Sequence, residues 1–168
     1  MKKVSDIVAE FIESKKIESV FLLTGGGIMH ITDSIKNNNF LNFYCNYHEQ
    51  ASAISAEGYA RITGKPGICI STIGPGIANA LSGAIGAWHD SIPLILICGQ
   101  VRKGLNADFS KIRQFGPQEA NILDLAKSIT KYSVSIENAN DIIFELEKAY
   151  NYAVNGRPGP VLIEIPLD

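Results

Sequence analysis

Short, unbroken apolar runs recur along this chain, and segments with helically spaced apolar residues lie between them. The stretches "ESVFLL" (18–23), "GICIST" (67–72), "PLILIC" (93–98) and 160–165 lack the polar alternation of a half-solvated strand. Strands that read apolar on both faces belong in a parallel sheet covered by helices on each side. The intervening segments supply those helices: "VSDIVAEFIESK" (4–15) places Val4, Ile7, Val8, Phe11 and Ile12 at helical spacing, and "IMHITDSIKNN" repeats this with Ile28, Ile31 and Ile35. Further helices are expected over 48–63, 77–88, about 118–128 and 139–154, with strands near 40–45 and over 131–136. The pattern predicts an α/β fold: a three-layer α/β/α domain around an open, about six-stranded parallel sheet, in a flavodoxin-like layout. At 168 residues the chain is long enough for one such core, so a single domain spanning 1–168 is expected.

Charge narrows the partners. Lys and Arg number 15 against 17 Asp and Glu, and no basic run stands out, so the electrostatic footprint of a nucleic-acid binder is missing. No apolar run approaches the roughly 20 residues of a membrane span, and the N-terminus "MKKVSDIVAEF" interrupts its apolar positions with charge. A small ligand or another protein is the expected partner, with no nucleic acid and no membrane. Cys45, Cys69 and Cys98 are far apart and form no C-x-x-C pair, which predicts buried free thiols in a reducing cytoplasm.

In open parallel sheets ligands sit beyond the carboxyl ends of the strands. The expected loops there read "TGGG" (24–27), "NYHEQ" (46–50), "TIGPG" (72–76) and "GQVRKG" (99–104). Glycine-rich turns into helices suit anions, since the first helical amides are unpaired. The details depart from the phosphate patterns: "TGGG" has no Gly-Lys-Ser/Thr ending, and "GPGIAN" puts Asn79 where a dinucleotide fingerprint has its third glycine. Tight strand-to-helix turns explain these glycines equally well. Glu49 by itself suits the first turn of a helix, where the macrodipole favours an acid by about 0.3–1 kcal/mol. His30, His48 and His89 have no companions at ligand spacing, so no metal site is assigned.

Taken in order, the blocks "VFLLTGGGI" (20–28), "HEQASAISAEGYARITGKPGICISTIGPGIANALSGAIGAWHDSIPLILICGQV" (48–101), "QEANILDLAKSITKYS" (118–133) and "GRPGPVLIEIPLD" (156–168) resemble one known family. It is the N-terminal pyrimidine-binding domain of thiamin diphosphate enzymes, specifically the acetolactate synthase group. The resemblance implies that Glu49 is the carboxylate that hydrogen-bonds N1′ of the cofactor's aminopyrimidine. Sharing a proton there favours the imino tautomer, whose 4′-nitrogen takes the proton from C2 of the thiazolium ring; the cofactor then performs the chemistry on a 2-oxo acid while the protein positions it. Gly25 and Gly26 match the glycines of the family's turn beside the cofactor. Thr72, Pro75 and Asn79 occupy the block that lines the pyrimidine pocket, and Gln118 matches a glutamine facing the substrate. Thr24, Gly27 and Pro117 depart from the family pattern close to where substrate would bind, so the resemblance does not name the product.

The family holds the diphosphate through Mg²⁺ with a Gly-Asp-Gly motif, and no "GDG" occurs here. The resemblance therefore implies a homo-oligomer, dimer or tetramer, in which a separate diphosphate-binding domain carries the Mg²⁺. It also implies that this chain is an N-terminal fragment of a longer multidomain enzyme or one subunit of a split enzyme, inactive alone. Whether FAD binds elsewhere in a parent enzyme stays open. Two other readings remain beside it: a non-catalytic assembly subunit with the same fold, and a flavodoxin-like nucleotide-binding module.

Overall fold

The computed structural model describes residues 2–168. Its strands are β1 (Ser19–Leu22), β2 (Asn42–Cys45), β3 (Gly67–Ser71), β4 (Leu94–Gln100), β5 (Tyr132–Ser135) and β6 (Pro160–Pro166). Its helices are α1 (Val4–Ser14), α2 (Met29–Asn37), α3 (Glu49–Thr63), α4 (Pro75–Asp90), α5 (Ile122–Ala126) and α6 (Ile142–Val154). The strands form one sheet in the order β2-β1-β3-β4-β6-β5, and every pairing is parallel.

The unbroken apolar runs follow from burial on both faces. Ile68, Ile70, Ile95, Ile97, Val161 and Ile163 pack with α1, α2 and α6. The alternating positions Cys69, Leu94, Leu96, Cys98 and Leu162 pack on the other side with α3, α4 and α5. Period-two alternation is present, but both phases are apolar because both meet helices. The sheet edges differ: all four residues of β2 are exposed, and β5 is half-buried throughout. No helix among the described residues is long and apolar enough to cross a membrane.

The small residues of α3 serve packing within the chain. A Cβ on Gly67 would overlap the Ala56 carbonyl, and one on Gly83 would stand 2.9 Å from the Ala53 Cβ. Ser52, Ala53, Ala56 and Ala60 are thus buried between β3 and α4, while Ile54 and Ile62 of the same helix stay exposed.

Two expectations need correction. The helix expected over about 118–128 is only Ile122–Ala126, because Gln118 has φ +58° and cannot join a right-handed helix, and Asn121 accepts from the Asp124 N–H as its cap. Cys45 is exposed rather than buried, since it ends the edge strand β2, whereas Cys69 and Cys98 are buried. The three-layer α/β/α layout is as expected: β2-β1-β3-β4 follows the flavodoxin-like order, and β6 lies between β4 and β5 at the far edge.

Candidate active site

From β1 the chain turns outward to β2, and from β3 it runs the other way to β4, so the strand order reverses between β1 and β3. The carboxyl ends of these two strands form the crevice where such sheets bind ligands. The two loops there touch. Gly27 N–H donates to Thr72 Oγ1 at 3.2 Å, and a Cβ on Gly25 would stand 2.5 Å from the Thr72 Cβ. Gly25 has extended backbone, φ −173°, so it is needed for room rather than for conformation.

Glu49 opens α3 immediately after its cap, His48, whose Nδ1 accepts from the Gln50 N–H at 3.2 Å. Its carboxyl lies against the first turn of α4. Pro75 takes the first helical position, where a missing N–H costs nothing, and Gly74 before it has φ +54°. Asn79, one turn on, donates from Nδ2 to Glu49 Oε2 at 3.1 Å. Glu49 Oε1 is 3.1 Å from where a Gly76 Cβ would be, and Ser71 Oγ stands at the same 3.1 Å from that point. Two helix N-termini therefore converge on one carboxylate, an arrangement their dipoles favour. Ser71 is fully buried, and its hydroxyl has no hydrogen-bond partner among the described residues. Behind it, burial first and the Glu49 charge second push the Cys69 thiol up to about 12.

Of the expected site residues, Glu49, Thr72, Pro75, Asn79 and Gly25 fall on this one crevice. Gly26 lines a depression of about 470 Å³ on the α2 side, together with Thr24, Gly25, Met29, Thr32, Asp33 and Lys36, so Gly25 borders both places. Gln118 is exposed and reaches the crevice through its backbone, since a Cβ on Gly74 would overlap the Gln118 carbonyl oxygen. Sequence reading passed over Ser71, Gly76 and Glu119. The available signals were a hydroxyl closing an apolar strand, a second glycine in "GPG", and an acid beside Gln118.

Glu49 is only 9% exposed, while Pro75 and Asn79 at its rim are exposed, so the carboxyl sits at the foot of an open surface site. One oxygen is held by Asn79 and the other accepts no hydrogen bond among the described residues. Such a group can share a proton with a heteroaromatic nitrogen laid across the crevice. Among the described residues no three His, Cys, Asp or Glu side chains are grouped to hold a metal ion.

Comparison with known proteins meets this geometry. Residues 2–125 match the family described as thiamine pyrophosphate enzyme, N-terminal TPP binding domain. The chain is 40% identical to the chloroplastic acetolactate synthase of Arabidopsis thaliana, with 99% of this chain aligned to 24% of that protein. It is 38% identical to the acetolactate synthase large subunit of Haemophilus influenzae, covering all of this chain and 29% of the relative. With the mitochondrial catalytic subunit of Saccharomyces cerevisiae the identity is 35%, over 96% of this chain and 23% of the relative. The chain thus spans about a quarter of the length of these relatives. A six-stranded parallel sheet, a carboxylate at its switch point and a family match over most of the chain agree: this chain belongs to the thiamine pyrophosphate enzymes, as an N-terminal TPP-binding domain of the acetolactate synthase type.

Proposed function

We propose that this chain is the pyrimidine-binding half-site of a thiamin diphosphate-dependent 2-oxo acid decarboxylase or carboligase, with Glu49 as the residue that activates the cofactor. The observation that carries the reading is the Glu49 carboxyl at the switch point, one oxygen anchored by Asn79 and the other 3.1 Å from the place a Gly76 side chain would fill, a point that the unpartnered Ser71 hydroxyl also borders. These residues fit an aminopyrimidine: a flat ring with a basic nitrogen needs a carboxyl group, a slot without side chains, and further polar atoms at its edge. Gly25 and Gly76 keep the slot clear, Thr72 and Pro75 wall it, and Gly26 continues the turn. When bound, the cofactor supplies an electron sink for decarboxylation of a 2-oxo acid.

The chain's own part is positional and protonic. Asn79 orients the Glu49 carboxyl, the helix N-termini stabilise its charge, and Glu49 exchanges a proton with the ring nitrogen as the reaction proceeds. Gln118, on the substrate side, orients the 2-oxo acid. Mg²⁺ and the diphosphate belong to a separate diphosphate-binding domain. The active assembly is a homo-oligomer, dimer or tetramer, supported by exposed Ile54 on α3 and Ile85 on α4 and by the openness of the site. The three unpaired cysteines support a reducing, cytoplasmic setting. Residues 1–168 form one domain of a longer enzyme in this reading.

The test is carbon dioxide release from a panel of 2-oxo acids, assayed for this chain alone and for its assembly with a diphosphate-binding domain. Cofactor-dependent turnover by the assembly and none by the chain alone is the expected result. An assembly that binds thiamin diphosphate yet releases no carbon dioxide would point instead to a scaffold subunit.

A further inference from the structure

Residues 101–121, between β4 and α5, contain no regular structure beyond a 3-10 turn at Lys103–Leu105. Segments of this length inside a compact fold are uncommon and usually functional. Gln100 and Asp168 hold the first residues of this one, at the Val101 and Lys103 N–H groups, and a buried carboxylate ties down the rest. Glu119, 6% exposed, accepts from the Ala107 N–H at Oε1 (2.7 Å) and from the Phe115 and Gly116 N–H groups at Oε2 (3.0 Å each). Charge-assisted bonds of this kind are the strong ones, and here three backbone amides of one strap share one carboxylate. Gly116 tightens the loop further, since a Cβ on it would stand 2.6 Å from Val101 Cγ1.

The residue before Glu119 bears the consequence. Gln118 has φ +58°, a conformation that a residue other than glycine keeps only when its surroundings over-determine it. On one side Glu119 fixes the strap; on the other the Gln118 carbonyl is seated where a Gly74 side chain would be. Gly74 begins the turn of α4 that carries Gly76 and Asn79 against Glu49. The strap and the carboxylate site therefore meet on the same helical turn.

We propose that Glu119 is a positioning residue: it holds the 101–121 strap so that Gln118 is locked against Gly74 and presented to the substrate beside the Glu49 site. Glu119 itself stays out of the chemistry, because both its oxygens are occupied by backbone amides. The inference rests on the substrate-facing role given to Gln118 above.

A double-mutant cycle tests it in the assembled enzyme, with Gln118→Ala, Glu119→Gln and the pair measured for KM and kcat at saturating cofactor. In Glu119→Gln the amide NH₂ must face backbone N–H groups, so the clamp opens. Each single variant should raise KM for the 2-oxo acid about ten- to hundredfold, the size of effect that misplacing a contact by an ångström produces. The double variant should be no worse than Gln118→Ala alone. A Glu119→Gln enzyme with unchanged KM, or one whose effect adds in full to that of Gln118→Ala, overturns the inference while leaving Gln118 in its role. An unchanged KM in Gln118→Ala overturns the substrate-facing reading and this inference with it. If Glu119→Gln does not fold, hydrogen exchange on the unaltered protein decides: the Ala107, Phe115 and Gly116 amides should be protected like those of the core, and exchange at free-loop rates overturns the clamp.

Discussion

Asn79 donates to Glu49 across 3.1 Å and joins the second turn of α4 to the first turn of α3, so the orientation of the carboxylate depends on how α3 and α4 pack. That packing is set by small residues, Gly83 against Ala53 and Gly76 beside Glu49. The geometry at Glu49 is a property of the helix pair.

Glu49→Gln in the assembled enzyme should lower kcat by about 10²–10⁴-fold, the usual contribution of positioned proton transfer. The amide still accepts from Asn79, so the fold should persist and the thermal midpoint should move little. A role confined to favouring the helix start predicts the reverse pattern, at most about 1 kcal/mol of stability and unaltered turnover. Measuring kcat at saturating thiamin diphosphate together with the midpoint separates the two.

Gly25→Ala should weaken cofactor binding more than it weakens the fold. The backbone at φ −173° accepts alanine, but the new Cβ would lie 2.5 Å from Thr72 Cβ and 2.6 Å from its hydroxyl, displacing a side chain that holds the Gly27 N–H. Overpacking of this kind costs about 1–3 kcal/mol. Cofactor titration of the assembled enzyme checks it, and a dissociation constant equal to that of the unaltered protein would show that Thr72 does not border the cofactor.

Stability should fall as pH rises above the ordinary glutamate range because of Glu164. This residue is 4% exposed on β6, and burial pushes its carboxyl up, opposed in part by hydrogen bonds from Ser135 and Gln100 and assisted by the Glu119 charge. The folded chain then holds the proton more tightly than the unfolded chain. The sign is therefore negative from about pH 4.3 upward through the raised folded value, and the cost is complete above it. In Glu164→Gln the amide oxygen can still accept from Gln100 Nε2, now at 2.9 Å from Oε1, without the charge. Thermal midpoints between pH 4 and 8 should show a flatter profile for the variant, with greater stability at neutral pH; superimposable profiles would rule Glu164 out as the cause.

Thiol labelling should distinguish the cysteines sharply. Cys45 is exposed and should react in the native protein, whereas Cys69, pushed up to about 12, and Cys98, also raised chiefly by burial, should react only on unfolding. Mass spectrometry after brief alkylation identifies the sites. Early modification of Cys69 would mean that the face of the sheet under α3 and α4 opens readily.

By itself the sequence determined the layers. Runs such as "PLILIC" are apolar at every position, which only a strand covered on both faces can bury, and the helical spacing of Val4, Val8, Phe11 and Ile12 supplied the cover. Glu49 as a helix-start acid and the "TIGPG" turn were likewise legible as local signals, whereas a cofactor role for Glu49 was implied only by the family resemblance of the ordered blocks. What tertiary structure decided is what those signals meet. Whether Cys45 is buried depends on β2 lying at the edge of the sheet, and whether the helix near 118 begins there depends on Gln118 being seated against Gly74, forty-four positions earlier in the chain. The orphaned hydroxyl of Ser71 and the three amides gathered by Glu119 are likewise invisible locally, since each is defined by groups brought close only when separate segments pack. Local propensity acts over a few residues, whereas burial and hydrogen-bond satisfaction are properties of the assembled fold.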